Sequence, residues 1–126
     1  MTGNGGTPLP CEIAEREGLI QDIAASATFA KAPALRRLLL YLWQERAAEP
    51  SEYSIAIDAL GKREDFDPKI DASVRVHVSR LRSKLKEYFE KEGESRSLRV
   101  SIPPGAHQLA WAPREERAAE PSLKAV

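Results

Sequence analysis

Apolar residues recur along this chain at two different periods, and the change of period divides it into parts. Leu35, Leu38, Leu39 and Leu42 stand at i, i+3, i+4 and i+7 with Trp43 beside them, the spacing that puts side chains on one face of an α-helix. Pro33 suits the first turn of that helix, and the pattern carries it to about Ala48, ahead of Pro50. A longer helix is predicted over Asp71 to Glu92, where Val74, Val78, Leu81, Leu85, Tyr88 and Phe89 form a stripe roughly 100° wide on a helical wheel. Upstream, Glu12 to Ala25 reads as a helix with Ile13, Ile20, Ile23 and Ala24 as its apolar members and Gly18 as a weak point, and Phe29 packs after it. Ser54 is the expected N-cap of a short third helix, with Ile55, Ala56, Ala59 and Leu60 inward and Gly61 as its stop. Beyond Gly93 the period becomes two. Leu98, Val100 and Ile102 alternate with Arg99 and Ser101, Pro103-Pro104-Gly105 is the turn, and His107 to Trp111 returns as the second strand.

The expected fold is therefore mainly α with a small β-hairpin. Residues 1–10, rich in Gly, Thr, Asn and Pro, read as a flexible N-terminus. Residues 11–112 form the one domain, and the charged, Ala- and Pro-rich stretch 113–126 reads as a disordered tail or linker. Lys62 to Ile70 is a polar loop containing Phe66 and Pro68.

Charge changes the picture. The chain has 19 basic and 19 acidic residues, a net charge of zero, which taken alone argues against a nucleic-acid partner. The distribution argues otherwise. Residues 1–74 carry 8 basic and 12 acidic side chains, and residues 75–126 carry 11 basic and 7 acidic. Arg75, Arg80, Arg82, Lys84 and Lys86 fall between Asp71 and Glu87 with no further acid among them, so a partner meeting that helix meets a local positive field. On the wheel, Ala72, Val76, Ser79 and Ser83 lie opposite the apolar stripe with Arg80 nearby. Arg75, Arg82 and Lys86 lie on one flank, and Ser73, His77 and Lys84 on the other. Small residues let a helix approach base edges, and long cations on either side reach phosphates.

Other chemistries find little support. His77 and His107 with the single Cys11 cannot assemble a metal site with its usual ligand count. Asp65, Asp67 and Asp71 lack the glycine turn and closing glutamate of a calcium loop, and are read as turn and cap residues instead. No phosphate-binding loop, nucleophile elbow or acid–base pair is present, so no enzyme activity and no cofactor are expected. No apolar run is long enough to span a bilayer, MTGNGGTPLP is not a secretory signal, and one cysteine fits a reducing cytoplasm.

The residues just read also carry a resemblance. ASVRVHVSRLRSKL resembles the recognition-helix segment of OmpR/PhoB-type winged helix-turn-helix effector domains, and LRVSIPPGAHQLAW is similar to the hairpin, or wing, that follows it there. A closer likeness, to winged-helix domains at the N-termini of larger bacterial proteins, covers Leu19 to Trp111. It runs through LIQDIAASATFAKAPALRRLLLYLW and EYSIAIDALGKREDFDPKIDASVRVHVSRLRSKLKEYFEKEG. The resemblance implies a transcriptional regulator's DNA-binding domain with Ser54 to Leu60 as positioning helix and 71–92 as recognition helix. It sets Val76 and Arg80 on bases and Ser73, His77 and Arg82 near phosphates, and makes Lys62 to Ile70 the loop that meets the transcription machinery. The wheel adds Ser79 and Ser83 to the base-facing set and Arg75, Lys84 and Lys86 to the phosphate set. Arg96 and Arg99 are the expected cations of the wing. The chain departs from the OmpR pattern in beginning with a helix where those domains have a sheet. It also departs in Ala106-His107 where Gly-Tyr is usual, and in a wing tip, Pro103-Pro104, without a cation. Double-stranded DNA is thus the expected partner, with a homodimer supplying two half-sites. The competing expectation is a winged-helix protein-interaction or signal-coupling module that does not bind DNA, which the neutral net charge favours.

Overall fold

In the computed structural model, which describes residues 10–113 with side chains from Glu12, helix α1 spans Pro10–Ala24. Its buried face is Leu19, Ile20, Ile23 and Ala24, with Ile13 only partly covered. Leu19, not expected there, lies on the same face as Ile23 one turn on. The reading of 1–10 as a flexible end reaches one residue too far, since the helix already includes Pro10. Residues 1–9 and 114–126, and with them nearly all of both expected flexible ends, lie outside the described residues.

A single 3₁₀ turn, Ala27–Phe29, inserts the wholly buried Phe29 into the core and leads to α2 (Pro33–Gln44). Ala32 gives α2 no side-chain cap, an omission worth about 1 kcal/mol. Burial of Leu35, Leu38, Leu39, Leu42 and Trp43, at about 2 kcal/mol for each side chain, outweighs it. The helix ends at Gln44 rather than Ala48. There Arg46 folds back, its guanidinium 3.9 Å from the Trp43 ring centroid and donating to Trp43 O at 2.8 Å. The chain continues only through i→i+3 bonds such as Ala48 N–H to Glu45 O.

Helix α3 starts at Glu52–Ser54 and widens into a π-helical turn over Ile55–Ala59. Its cap is Ser51, whose hydroxyl accepts the Ser54 N–H at 3.1 Å. Ser54, the expected cap, is three residues inside. Leu60 N–H returns to Ile55 O and Lys62 N–H to Ala56 O, across Gly61 at φ 70°, a conformation glycine adopts without penalty. Ile55, Ala56 and Ala59 are buried, and Leu60 half so. Tyr41 of α2 donates to Asp58 Oδ2 of α3 at 3.2 Å. Partial burial first, and then the Asp58 charge, push its hydroxyl up to about 12.

Helix α4 covers Ser73–Glu90, shorter at both ends than the predicted 71–92. Asp71 lies just outside it, and its Oδ1 accepts the Ser73 N–H at 2.9 Å as well as the Ser73 hydroxyl. It thus does a cap's work from one residue too early. At the far end Tyr88 O receives both Lys91 N–H and Gly93 N–H. Gly93 is buried against the Tyr88 and Phe89 rings so closely that any Cβ there would collide with Tyr88.

Strands β1 (Leu98–Ser101) and β2 (Ala110–Pro113) pair antiparallel, with Leu98 opposite Pro113 and Ser101 opposite Ala110. The second strand begins three residues later than predicted, so residues 102–109 form a long loop. Pro103 and Pro104 carry no N–H for a ladder. Ala106 N–H closes a turn onto Pro103 O at 3.0 Å with Gly105 at φ 80°, the arrangement a Pro-Gly type II turn requires. His107 N–H is drawn away to Glu49 Oε2 at 2.6 Å. The hairpin lies on the helical core through Val100 and Ile102. Trp111 meets Trp43 edge-to-face at 5.9 Å and 76°, with Arg16 stacked on the Trp111 ring. The described residues thus form a mainly helical fold of four helices and one small antiparallel sheet around a single core. Among the described residues no helix is long and apolar enough to cross a membrane.

Candidate nucleic-acid interface

The three-dimensional exposure of α4 follows the wheel. Val74, Val78, Leu81, Leu85, Tyr88 and Phe89 are buried, and Ala72, Arg75, Val76, Ser79, Arg80, Ser83 and Lys86 are exposed. Val76 is 42% exposed, an aliphatic side chain presented to solvent with small Ser79 and Ser83 near it. Arg80 and Lys86 make no ion pair or side-chain hydrogen bond among the described residues, so their charge is available to a partner.

The remaining cations are engaged to different degrees. Arg75 pairs with Glu52 at 3.5 Å and donates to Pro68 O at 3.0 Å. Its side chain remains half exposed, and such a surface pair is worth no more than ~1 kcal/mol. Lys84 lies 3.7 Å from Glu87, which also pairs with Lys91 at 3.2 Å. The two lysines, Lys91 first, hold the Glu87 carboxyl below the usual range. Arg82 is committed further: Nε donates to Ile102 O at 2.7 Å and Nη2 to Pro103 O at 3.3 Å. In place of a free phosphate-reaching arm, it is a bracket between α4 and the hairpin loop.

His77 is half buried, its Nδ1 2.9 Å from Ser73 O. A carbonyl can only accept, so Nδ1 carries the hydrogen, and in the neutral ring Nε2 is an acceptor. Only the imidazolium could donate to a phosphate from this position. Ser73 gives its hydroxyl to Asp71. That contact and the Ser73 N–H, followed by Lys62 at 3.2 Å, bring the Asp71 carboxyl down to about 2. Within the preceding loop Asp67 Oδ1 accepts the Lys69 N–H at 3.0 Å.

Of the two expected wing cations, Arg99 is buried and Arg96 is half-buried in an ion pair. Arg99 is 8% exposed. Its guanidinium donates to Phe89 O at 3.0 Å and Glu94 O at 2.8 Å and lies 4.9 Å from the Phe89 ring centroid. Strand alternation assigned it to solvent, but the carbonyls left open where α4 ends draw it inward. Arg96 is in the turn before β1 and is bound to Asp22 of α1, which raises its already high affinity for a proton. Arg99 is thus held by the fold, and Arg96 by a surface ion pair with Asp22.

Three acidic partners were not foreseen. Glu52 bridges toward Arg75 and His107, Glu49 holds His107 N–H, and Glu92 closes on the 3₁₀ turn through Ala27 N–H, Thr28 N–H and the Thr28 hydroxyl. Those donors keep the Glu92 carboxyl below its ordinary range. The partners are 23 to 65 residues apart, and no local spacing signals them. No family model, curated protein or solved structure matches this chain.

Proposed function

We propose that this chain is the DNA-binding domain of a transcriptional regulator, a winged helix-turn-helix in which α3 positions α4 and the hairpin is the wing. The observation that carries this reading is the outer face of α4. It sets exposed Val76, Ser79 and Ser83 between the unpaired cations Arg80 and Lys86. A major groove rewards small residues at that centre and cations around them. In this reading Val76, Ser79, Arg80 and Ser83 face bases, and Arg75, Lys84 and Lys86 reach phosphates. The wing contributes its loop backbone rather than arginines. One α4 reads a short half-site, so tight binding calls for two copies. The loop 62–70, with Ile70 84% exposed, is the surface offered to the transcription machinery. In this reading the protein works in the cytoplasm, where its DNA lies.

One observation favours a protein-interaction module instead. Of the seven cations from Arg75 to Arg99 outside the α4 terminus, five are engaged within the chain, namely Arg75, Arg82, Lys84, Arg96 and Arg99. Polarisation titrations with mixed genomic fragments at two salt concentrations separate the readings. DNA binding through about three phosphates gives a log–log salt slope of roughly −3. An absence of salt-dependent binding at micromolar protein would leave the protein-interaction module. Selection from a random DNA library then yields the half-site and its spacing.

A further inference from the structure

A cleft of about 350 Å³ opens between the start of α3, the flank of α4 and the hairpin loop. Its walls include Glu52, Arg75, Val78, Arg82, Gly105 and His107. Two arginines and a histidine gather there, and the carboxylate of Glu52 lies among them. One Glu52 oxygen is 3.5 Å from Arg75 Nη1, and the other is 3.9 Å from His107 Nε2. The pair to His107 gains a full charge only when the ring is protonated. Glu52 is itself only about a fifth exposed, while Arg75 opens to solvent.

Arg75 also donates to Pro68 O, so its guanidinium stays fixed at the cleft mouth whether or not Glu52 holds it. Arg82, by contrast, is held by the hairpin carbonyls through Nε and Nη2 and adds its field to the cleft. Arg75 thus meets the Glu52 carboxylate in a basic cleft, with the His107 ring and the Arg82 charge beside it.

We infer that Glu52 is a built-in stand-in for a DNA phosphate: its carboxylate holds Arg75 in the free protein, beside His107, and competes with the backbone phosphate that takes Arg75 on binding. The inference rests on the DNA-binding reading and names a residue that sets its affinity. On binding, Arg75 exchanges one anion for another, so the net gain is reduced and part of the counterion release is lost. The carboxylate left behind remains close to His107. Glu52 thereby lowers affinity for all sequences equally, which widens the relative weight of base contacts such as Arg80.

The test is Glu52→Gln in the full chain. It keeps the size and a hydrogen-bonding oxygen and removes the charge. Glu17→Gln on α1 is the control for net charge. The expected result is binding to random duplex about three- to fivefold tighter than the parent. The log–log salt slope should also steepen, by part of the roughly 0.9 that one phosphate contact contributes. Glu17→Gln should leave the slope unchanged. Thermal unfolding of all three proteins checks that the variants are folded. A second readout uses inorganic tripolyphosphate and follows the Arg75 Nε–H and His107 ring signals by NMR. Both should saturate at lower tripolyphosphate in Glu52→Gln. Equal or weaker binding of duplex and of tripolyphosphate by folded Glu52→Gln overturns the inference. Tighter tripolyphosphate binding, with no salt-dependent duplex binding by either protein, keeps Glu52 as the stand-in anion and overturns the DNA reading alone.

Discussion

Arg82 Nε, on the flank of α4, donates to the main-chain oxygen of Ile102 at 2.7 Å, and the same guanidinium reaches Pro103 O at 3.3 Å. The bond fixes where the hairpin loop stands relative to the exposed face of α4. Charged hydrogen bonds of this kind contribute about 1.5–3 kcal/mol. Partial exposure places this one at the lower end. Arg82→Ala is expected to destabilise the fold by about 1–2 kcal/mol and to speed amide exchange at Ala106, with Arg82→Lys in between. Unchanged exchange in a folded Arg82→Ala protein would return Arg82 to the set of free phosphate contacts.

Arg99 makes the opposite prediction to the one its place in a strand suggests. Truncation leaves Phe89 O and Glu94 O without their charged donor and opens space beside Phe89. Arg99→Ala should lower stability by about 2–4 kcal/mol in urea denaturation. Its salt slope for DNA should match the parent's, measured where both are folded. A fall in slope without a fall in stability would show an outward-facing arginine.

Asp71 gives a pH test with a defined sign. Its carboxyl is held at about 2 in the folded chain by the Ser73 hydroxyl and amide and then by Lys62. An unfolded aspartate titrates near ~3.9. A group depressed on folding stabilises fully above the unfolded value and loses that effect as pH falls through the folded one. The gap in melting temperature between parent and Asp71→Asn should therefore be constant from pH 7 to 5 and close between about pH 4 and 2. The parent keeps some slope there even so, because Glu92 is depressed too. A gap that persists at pH 2 would mean that Asp71 acts through shape rather than charge.

Arg80 and Lys86 separate base reading from phosphate attraction. If Arg80 contacts a base, Arg80→Ala should cost about 1–3 kcal/mol on the selected site and flatten preference at one position. Lys86→Ala should weaken every duplex alike and reduce the magnitude of the salt slope by about 1. An Arg80→Ala protein with the parent's ratio of selected-site to random-duplex affinity would remove Arg80 from the base-facing set.

Much of the helical frame was legible from periodicity. The buried stripes of α2 and α4 are the ones their spacing predicts, because a 3.6-residue repeat needs no knowledge of the partner surface. The outward set on α4 follows for the same reason. Boundaries were less legible. Ser51 rather than Ser54 caps α3, because the helix starts one turn earlier, at Glu52, ahead of the apolar run Ile55–Ala59 that the spacing marks. The return strand moved from His107 to Ala110 because the His107 N–H found Glu49 rather than a ladder partner.

By itself the sequence determined the buried stripes of α2 and α4, the order of helices and hairpin, and the basic, small-residued face of α4. These depend on local spacing and on charge counted along one helix. Only the tertiary structure decided which cations remain available. Arg82, Arg96 and Arg99 are each bound by groups distant in sequence or by carbonyls left open at an element's end, and Glu52 meets Arg75 across 23 positions. Whether an arginine serves a partner or the fold depends on the acceptors that chain folding brings within ~3 Å of it, and sequence spacing does not encode that distance.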